Sequence, residues 1–157
     1  PIPLPLIPVP ITAQTFGVMI AGCLLKPRLA FFSMVLFIIL VAAGFPLLAG
    51  GRGGMAAFIG PSSGFLLSWP FASYIISMIK GQYGGSVFVL LLGNILGGVL
   101  VVYACGIIFM VLVLDINVIA AMLGVVIFLP GDILKAVIAS LVASKVMRAN
   151  VIDHHED

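Results

Sequence analysis

Long apolar runs alternate along this chain with short clusters of glycine, proline and charged residues. About 20 apolar residues cross a bilayer as a helix, and fewer suffice where protein shields the segment. Five runs meet this description, at residues 11–25, 29–48, 65–79, 86–114 and 131–147. The run 116–129 predicts a short or re-entrant piece. The pattern therefore predicts an all-α integral membrane protein, a polytopic helix bundle with five visible spans.

Composition supports the membrane prediction. Of 157 residues, 63% are hydrophobic and only 8% are charged, and the mean hydropathy is +1.37. Soluble domains carry about 25% charged residues. We therefore expect a single transmembrane domain over 1–157. The net charge of +2, without a basic cluster interleaved with aromatics, excludes nucleic acid as an expected partner.

The loop charges predict an orientation. Five cations fall on one side if the runs cross alternately, namely Lys26, Arg28, Lys80, Lys145 and Arg148. The positive-inside rule assigns that side to the cytoplasm. The proline-rich stretch 1–11, which cannot be helical, becomes an external loop, and the polar tail 149–157 becomes cytoplasmic. An odd number of crossings beginning outside predicts six helices in all, the first of which is missing from this sequence.

An acid and a base stand close together in the last apolar run. Asp132 and Lys135 follow Pro130-Gly131, and proline is tolerated in the first turn of a helix. A spacing of three residues puts both side chains on one face, and Asp132 is favoured near the helix N-terminus. An ionisable pair within a membrane segment indicates a functional site. The alternative is a local salt bridge that only orients helices.

Other polar or flexible positions fall on the same predicted external face. They are Gln14, Thr15, the glycines Gly53, Gly54 and Gly60, and Trp69. Glycine-rich backbone can approach a ligand closely, and a pocket with apolar walls and a few polar anchors is typical of small-molecule sites. The alternatives are that Gln14 and Thr15 cap the first helix and that Trp69 is a lipid-interface aromatic.

Motifs for catalysis and cofactor binding do not stand out. The sequence contains no Walker A motif and no His/Glu metal spacing or Cys-His arrangement typical of nucleophilic sites. We therefore expect neither an enzyme nor a bound metal or cofactor, and ATP hydrolysis would have to come from other proteins.

Four motifs in order resemble the BioY family, the biotin-specific S components of energy-coupling-factor (ECF) transporters. These are PVPITAQT at 8–15, GFPLLAGGRGG at 44–54, GPSSGF at 60–65 and LPGDILKA at 129–136. The family's usual Gly-Pro-Thr-Gly-Gly stands here as Gly-Pro-Ser-Ser-Gly at 60–64.

The resemblance implies a six-helix fold with a vitamin pocket near the outer face of the cell membrane. It implies biotin as ligand, bound with the help of Asp132 and Lys135. It also implies partners: a transmembrane coupling protein and two cytoplasmic ATPases of an ECF module, besides membrane lipid. Three alternatives stay open: an S component for thiamine or riboflavin, an integral-membrane enzyme using the Asp132–Lys135 pair, and an assembly subunit.

Overall fold

The computed structural model describes residues 13–153, with side chains through Ala149. The secondary structure of this part is helical apart from one isolated bridge between Leu48 and Arg52. The predictions for the proline-rich loop 1–11 and for the last residues of the tail, 154–157, lie outside the described residues. The all-α prediction is confirmed.

Six helices account for most of the described chain. They are α1 Gln14–Leu24, α2 Pro27–Ala42, α3 Ser63–Tyr83, α4 Val87–Leu114, α5 Val118–Val126 and α6 Leu129–Asp153. Each falls on a predicted apolar run. The second run was predicted six residues too long, because the chain leaves the helix after Ala42 and turns at Gly44, whose φ is +102°. A 3-10 turn, Met55–Phe58, lies in the loop before α3.

Only α4 is both long and apolar enough to cross a membrane by itself among the described helices. The short α5 and the following α6 pass the same test as a pair bent by 54°, which agrees with the predicted short piece at 116–129. Helices α1 and α2 are apolar but shorter. The count of five spans therefore stays a prediction.

Local signals explain where several helices begin and end. Pro27 stands in the first turn of α2 and Pro130 in the first turn of α6, positions where a missing N–H costs nothing. Asp115 ends α4 in the left-handed conformation with a φ of 51°. The Asn117 side chain then caps α5 by accepting from the Ile119 N–H at 2.9 Å.

Helix α3 lies at the centre, packed against α1, α2 and α4, and α6 packs against α1 and α4. Glycines permit the closest approaches. A Cβ at Gly22 of α1 or at Gly97 of α4 would stand 2.7 Å from a side-chain carbon of Ile76 on α3, closer than carbon atoms can pack. Small residues at these positions therefore permit close packing between the helices. On the surface of the bundle, α2 exposes Leu29, Phe32, Leu36 and Ile39, which form one helical face suited to lipid.

Residues Asn94–Val101 of α4 are π-helical, which the apolar pattern did not predict. At the start of this segment the fully buried Asn94 donates to Ser140 Oγ at 3.0 Å and to the Ala136 carbonyl at 3.4 Å. The Cys23 thiol donates to Asn94 Oδ1 at 3.4 Å. One amide side chain thus connects α1, α4 and α6 in the middle of the bundle, and π segments are frequent near functional sites.

Candidate ligand-binding site

A cavity opens between α1, α3, α4, α6 and the loop that joins α2 to α3. It surrounds about 740 Å³ of space, part of which is open solvent. Its polar lining consists of Gln14, Thr15, Arg52, Ser62, Tyr103, Asp132 and Lys135, and its apolar lining of Leu48, Ala57, Phe65, Leu66, Trp69, Val102 and Phe128. Apolar walls combined with a group of convergent polar side chains are characteristic of small-molecule sites.

Asp132 is the centre of the polar group. Lys135 Nζ lies 2.8 Å from Asp132 Oδ1, and the side chains of Lys135 and Asp132 are only 20% and 8% exposed, respectively. The Thr15 hydroxyl donates to the same Oδ1 at 3.3 Å and accepts from Lys135 Nζ at 3.2 Å. The structure thus brings together three of the predicted site residues, although Thr15 is 117 positions from Asp132.

Tyr103 completes the surroundings of this carboxylate. Its hydroxyl donates to Asp132 Oδ2 at 2.5 Å, and its ring packs edge-on against Phe65 with centroids 6.5 Å apart. Sequence reasoning missed Tyr103, because a lone tyrosine in the long run 86–114 looks like an apolar residue. The available signal was its hydroxyl, which needs a hydrogen-bond partner when it is buried.

The start of α1 faces the cavity with two polar side chains. Gln14 Nε2 donates to the Leu47 carbonyl at 3.2 Å, and Thr15 reaches α6. The N-cap residue of α1 is Ala13, and no side chain caps this helix end. The capping alternative for Gln14 and Thr15 is therefore wrong, since both side chains bond to other parts of the fold.

Arg52, which belongs to the motif at 44–54, brings a second positive charge to the lining. Its Nε donates to the Ala49 carbonyl at 3.2 Å. Among the side chains of residues 13–149, Arg52 forms no ion pair. A guanidinium with unpaired charge at the edge of an apolar cavity is suited to binding a carboxylate.

Trp69 forms part of the apolar wall and is 5% exposed. Its ring lies 5.7 Å from that of Phe37, centroid to centroid. Its Nε1 is buried, and no described group accepts a hydrogen bond from it. A buried indole N–H normally has a partner, so this wall contains one donor that the described protein leaves unused.

The three predicted glycines are not among the residues that line the cavity. Gly53 packs against the Phe45 carbonyl, where a Cβ would lie 2.1 Å from the oxygen. The Gly54 N–H donates to the Val41 carbonyl at 2.7 Å, and the Gly60 carbonyl accepts from the Ser63 N–H at 3.1 Å. These glycines hold the loop that bears Arg52, and direct ligand contact by them stays a prediction.

Comparison with known proteins identifies the family. The sequence model of the BioY family matches residues 1–151. The chain belongs to the BioY family. This match confirms the family resemblance seen in the four motifs. It also supports the prediction that the chain is a membrane protein.

The sequence similarity to individual BioY relatives extends over most of their length. The chain is 41% identical over 143 residues to the probable biotin transporter BioY of Bacillus subtilis, covering 90% of this chain and 77% of the relative. It is 40% identical over 154 residues to the biotin transporter BioY of Rhizobium etli, covering 94% and 82%. A crystal structure of the S-component for biotin from an ECF-type ABC transporter superposes with a TM-score of 0.86 at 32% identity, covering 90% of this chain and 77% of that one.

Proposed function

We propose that this chain is the biotin-capturing subunit of a vitamin uptake transporter. The observation that carries the proposal is the partly buried Asp132–Lys135–Thr15 group at one side of an apolar cavity, in a chain whose relatives are named biotin transporters. The BioY family consists of transporter components and not of enzymes, which removes the enzyme alternative.

The chemistry of biotin matches the distribution of polar groups in the cavity. Its cyclic urea has N–H donors and a carbonyl acceptor, and its valerate chain ends in a carboxylate. Asp132 accepts hydrogen bonds and Lys135 donates them, so this pair suits the urea. Arg52, whose charge has no counter-ion in the described part of the chain, suits the carboxylate. Phe65, Trp69 and their apolar neighbours suit the ring and the aliphatic chain.

Transport requires an energy source that this chain does not contain. We assign that role to partners, namely a transmembrane coupling protein and two cytoplasmic ATPases of an ECF module. The similarity to an S-component of such a transporter supports this type of assembly. The cavity would then open to the outside, because the cations Lys26, Arg28 and Lys80 mark the opposite, cytoplasmic side.

Equilibrium binding tests the proposal directly. Purified protein in detergent should bind radiolabelled biotin at one site, with unlabelled biotin competing and an excess of thiamine or riboflavin failing to compete. Binding should also raise the melting temperature, because a ligand at 100 times its Kd stabilises the folded state by about 2.7 kcal/mol. Direct binding of radiolabelled thiamine or riboflavin, with no binding of biotin, would reassign the ligand.

A further inference from the structure

The Asp132 carboxylate has little acceptor capacity left for a ligand. A carboxylate offers about four lone-pair sites, two on each oxygen. Oδ1 already accepts from Thr15 at 3.3 Å and from Lys135 at 2.8 Å, whereas Oδ2 accepts from Tyr103 at 2.5 Å. One site on Oδ2 therefore remains, next to the tyrosine hydroxyl.

The Tyr103 oxygen is oriented by the same hydrogen bond. A phenol has one proton, and here that proton points to Asp132 Oδ2. The remaining capacity of the oxygen is therefore for accepting hydrogen bonds. Tyr103 lines the cavity, so Asp132 Oδ2 and Tyr103 Oη together form an acceptor edge, with the ammonium group of Lys135 bound to the other carboxylate oxygen.

The π segment of α4 accounts for the direction of Tyr103. Asn94 and Tyr103 both bond to α6, through Ser140 and Asp132, respectively. In a regular α-helix each residue turns the helix by about 100°, so residues nine positions apart face opposite sides. The π-helical residues Asn94–Val101 have more residues per turn, and this brings both side chains to the α6 side.

From this geometry we infer that Tyr103 is a ligand-binding and specificity-determining residue, whose hydroxyl oxygen and Asp132 Oδ2 receive one N–H group of a cyclic urea. The inference rests on the proposed function, since the urea is that of biotin. An acceptor edge of this kind selects a cyclic urea or lactam over a ring that lacks an N–H group.

The test compares Tyr103→Phe with a matched control, Tyr83→Phe, which changes an exposed tyrosine outside the cavity. Binding is measured with biotin and with two analogues, each methylated on one of the two urea nitrogens. Tyr103→Phe should weaken biotin binding about tenfold, because a ligand hydrogen bond and the donor to Asp132 are both lost. Tyr83→Phe should bind biotin like the wild type.

The methylated analogues distinguish a ligand contact from a general loss of structure. The wild type should reject one of them more strongly than the other, and Tyr103→Phe should reduce that preference, whereas a structural effect would weaken all three ligands equally. In the Asp132→Asn background, Tyr103→Phe should weaken biotin binding by a smaller factor than it does in the wild type, since both residues bind the same N–H group.

Two failures are separable in this experiment. If the wild type binds no biotin, the proposed function is wrong. If the wild type binds biotin and Tyr103→Phe keeps full affinity and the full preference between analogues, the role of Tyr103 is wrong while the proposed function stands. Equal losses for all three ligands, accompanied by a lower melting temperature, would also reject the specificity role.

Discussion

Lys135 Nζ lies 2.8 Å from Asp132 Oδ1, and both side chains come from the first two turns of α6. This ion pair is largely buried, and both of its members also form a hydrogen bond with the Thr15 hydroxyl. A buried ion pair has a desolvation cost that can exceed its Coulomb attraction, so it is weak evidence for a purely stabilising role. Its position in the lining of the cavity agrees with a role in ligand binding.

Removing one charge of this pair should weaken biotin binding. A hydrogen bond to a charged group contributes about 1.5–3 kcal/mol, so Asp132→Asn or Lys135→Met should raise the Kd by about ten- to a hundredfold. The measurement is equilibrium binding together with the melting temperature of each variant.

The double variant Asp132→Asn with Lys135→Met separates binding from stability. It leaves no unpaired charge, so the melting temperature should recover relative to the single variants, while biotin binding should stay lost. Recovery of both stability and affinity would show that the pair is only structural.

Arg52 should act on the carboxylate of the ligand and not on its urea. Arg52→Gln keeps a polar side chain but removes the charge, and a charged hydrogen bond contributes about 1.5–3 kcal/mol. The Kd for biotin should therefore rise by about ten- to a hundredfold, whereas the Kd for biotin methyl ester should hardly change. Arg28→Gln, at an exposed position on α2, is the charge-matched control. Equal losses for acid and ester would contradict this assignment.

Gly106 should be intolerant of a side chain, because a Cβ there would lie 2.3 Å from the ring of Phe65. Phe65 packs against Tyr103 and lines the cavity, so Gly106→Ala must displace a ring of the cavity wall. Overpacking typically costs about 1–3 kcal/mol, and we expect both a lower melting temperature and weaker biotin binding. Gly17→Ala on α1, where a Cβ would meet no described atom within 4 Å outside its own helix backbone, should lower neither. If Gly106→Ala kept the melting temperature and the biotin affinity of the wild type, the cavity wall would be able to accommodate the extra methyl group.

The orientation in the membrane can be tested with single cysteines. Ile59 in the loop before α3 is 74% exposed, and Gln82 near the end of α3 is also exposed. With Cys23 and Cys105 replaced by serine, Ile59→Cys should react with an impermeant thiol reagent added to intact cells, and Gln82→Cys should react only after lysis. Labelling in the reverse order would place the cavity on the cytoplasmic side. Ile59 is a better position for the cysteine than Gly51 in the same loop, because the φ of +70° at Gly51 disfavours any side chain.

The sequence by itself determined the helices, because their signals are local. Apolar runs, breaks at glycine and proline, and Pro130 in a first turn need no knowledge of distant residues. The same holds for the Asp132–Lys135 pair, since a separation of three residues on a helix brings two side chains to one face. The four family motifs, read in order, were likewise sufficient to indicate the BioY family.

Only the tertiary structure decided which other side chains meet that pair. Thr15 reaches Asp132 across 117 positions and Tyr103 reaches it across 29, contacts that depend on how α1 and α4 are rotated against α6. The rotation of α4 changes along its π segment, Asn94–Val101, where an apolar sequence of small and branched residues has no pattern that separates π from α geometry. Arg52 enters the cavity lining because the loop around it folds back, with Gly53 against the Phe45 carbonyl. Such contacts arise from packing between distant segments, and the periodicity of residues along the chain does not predict them.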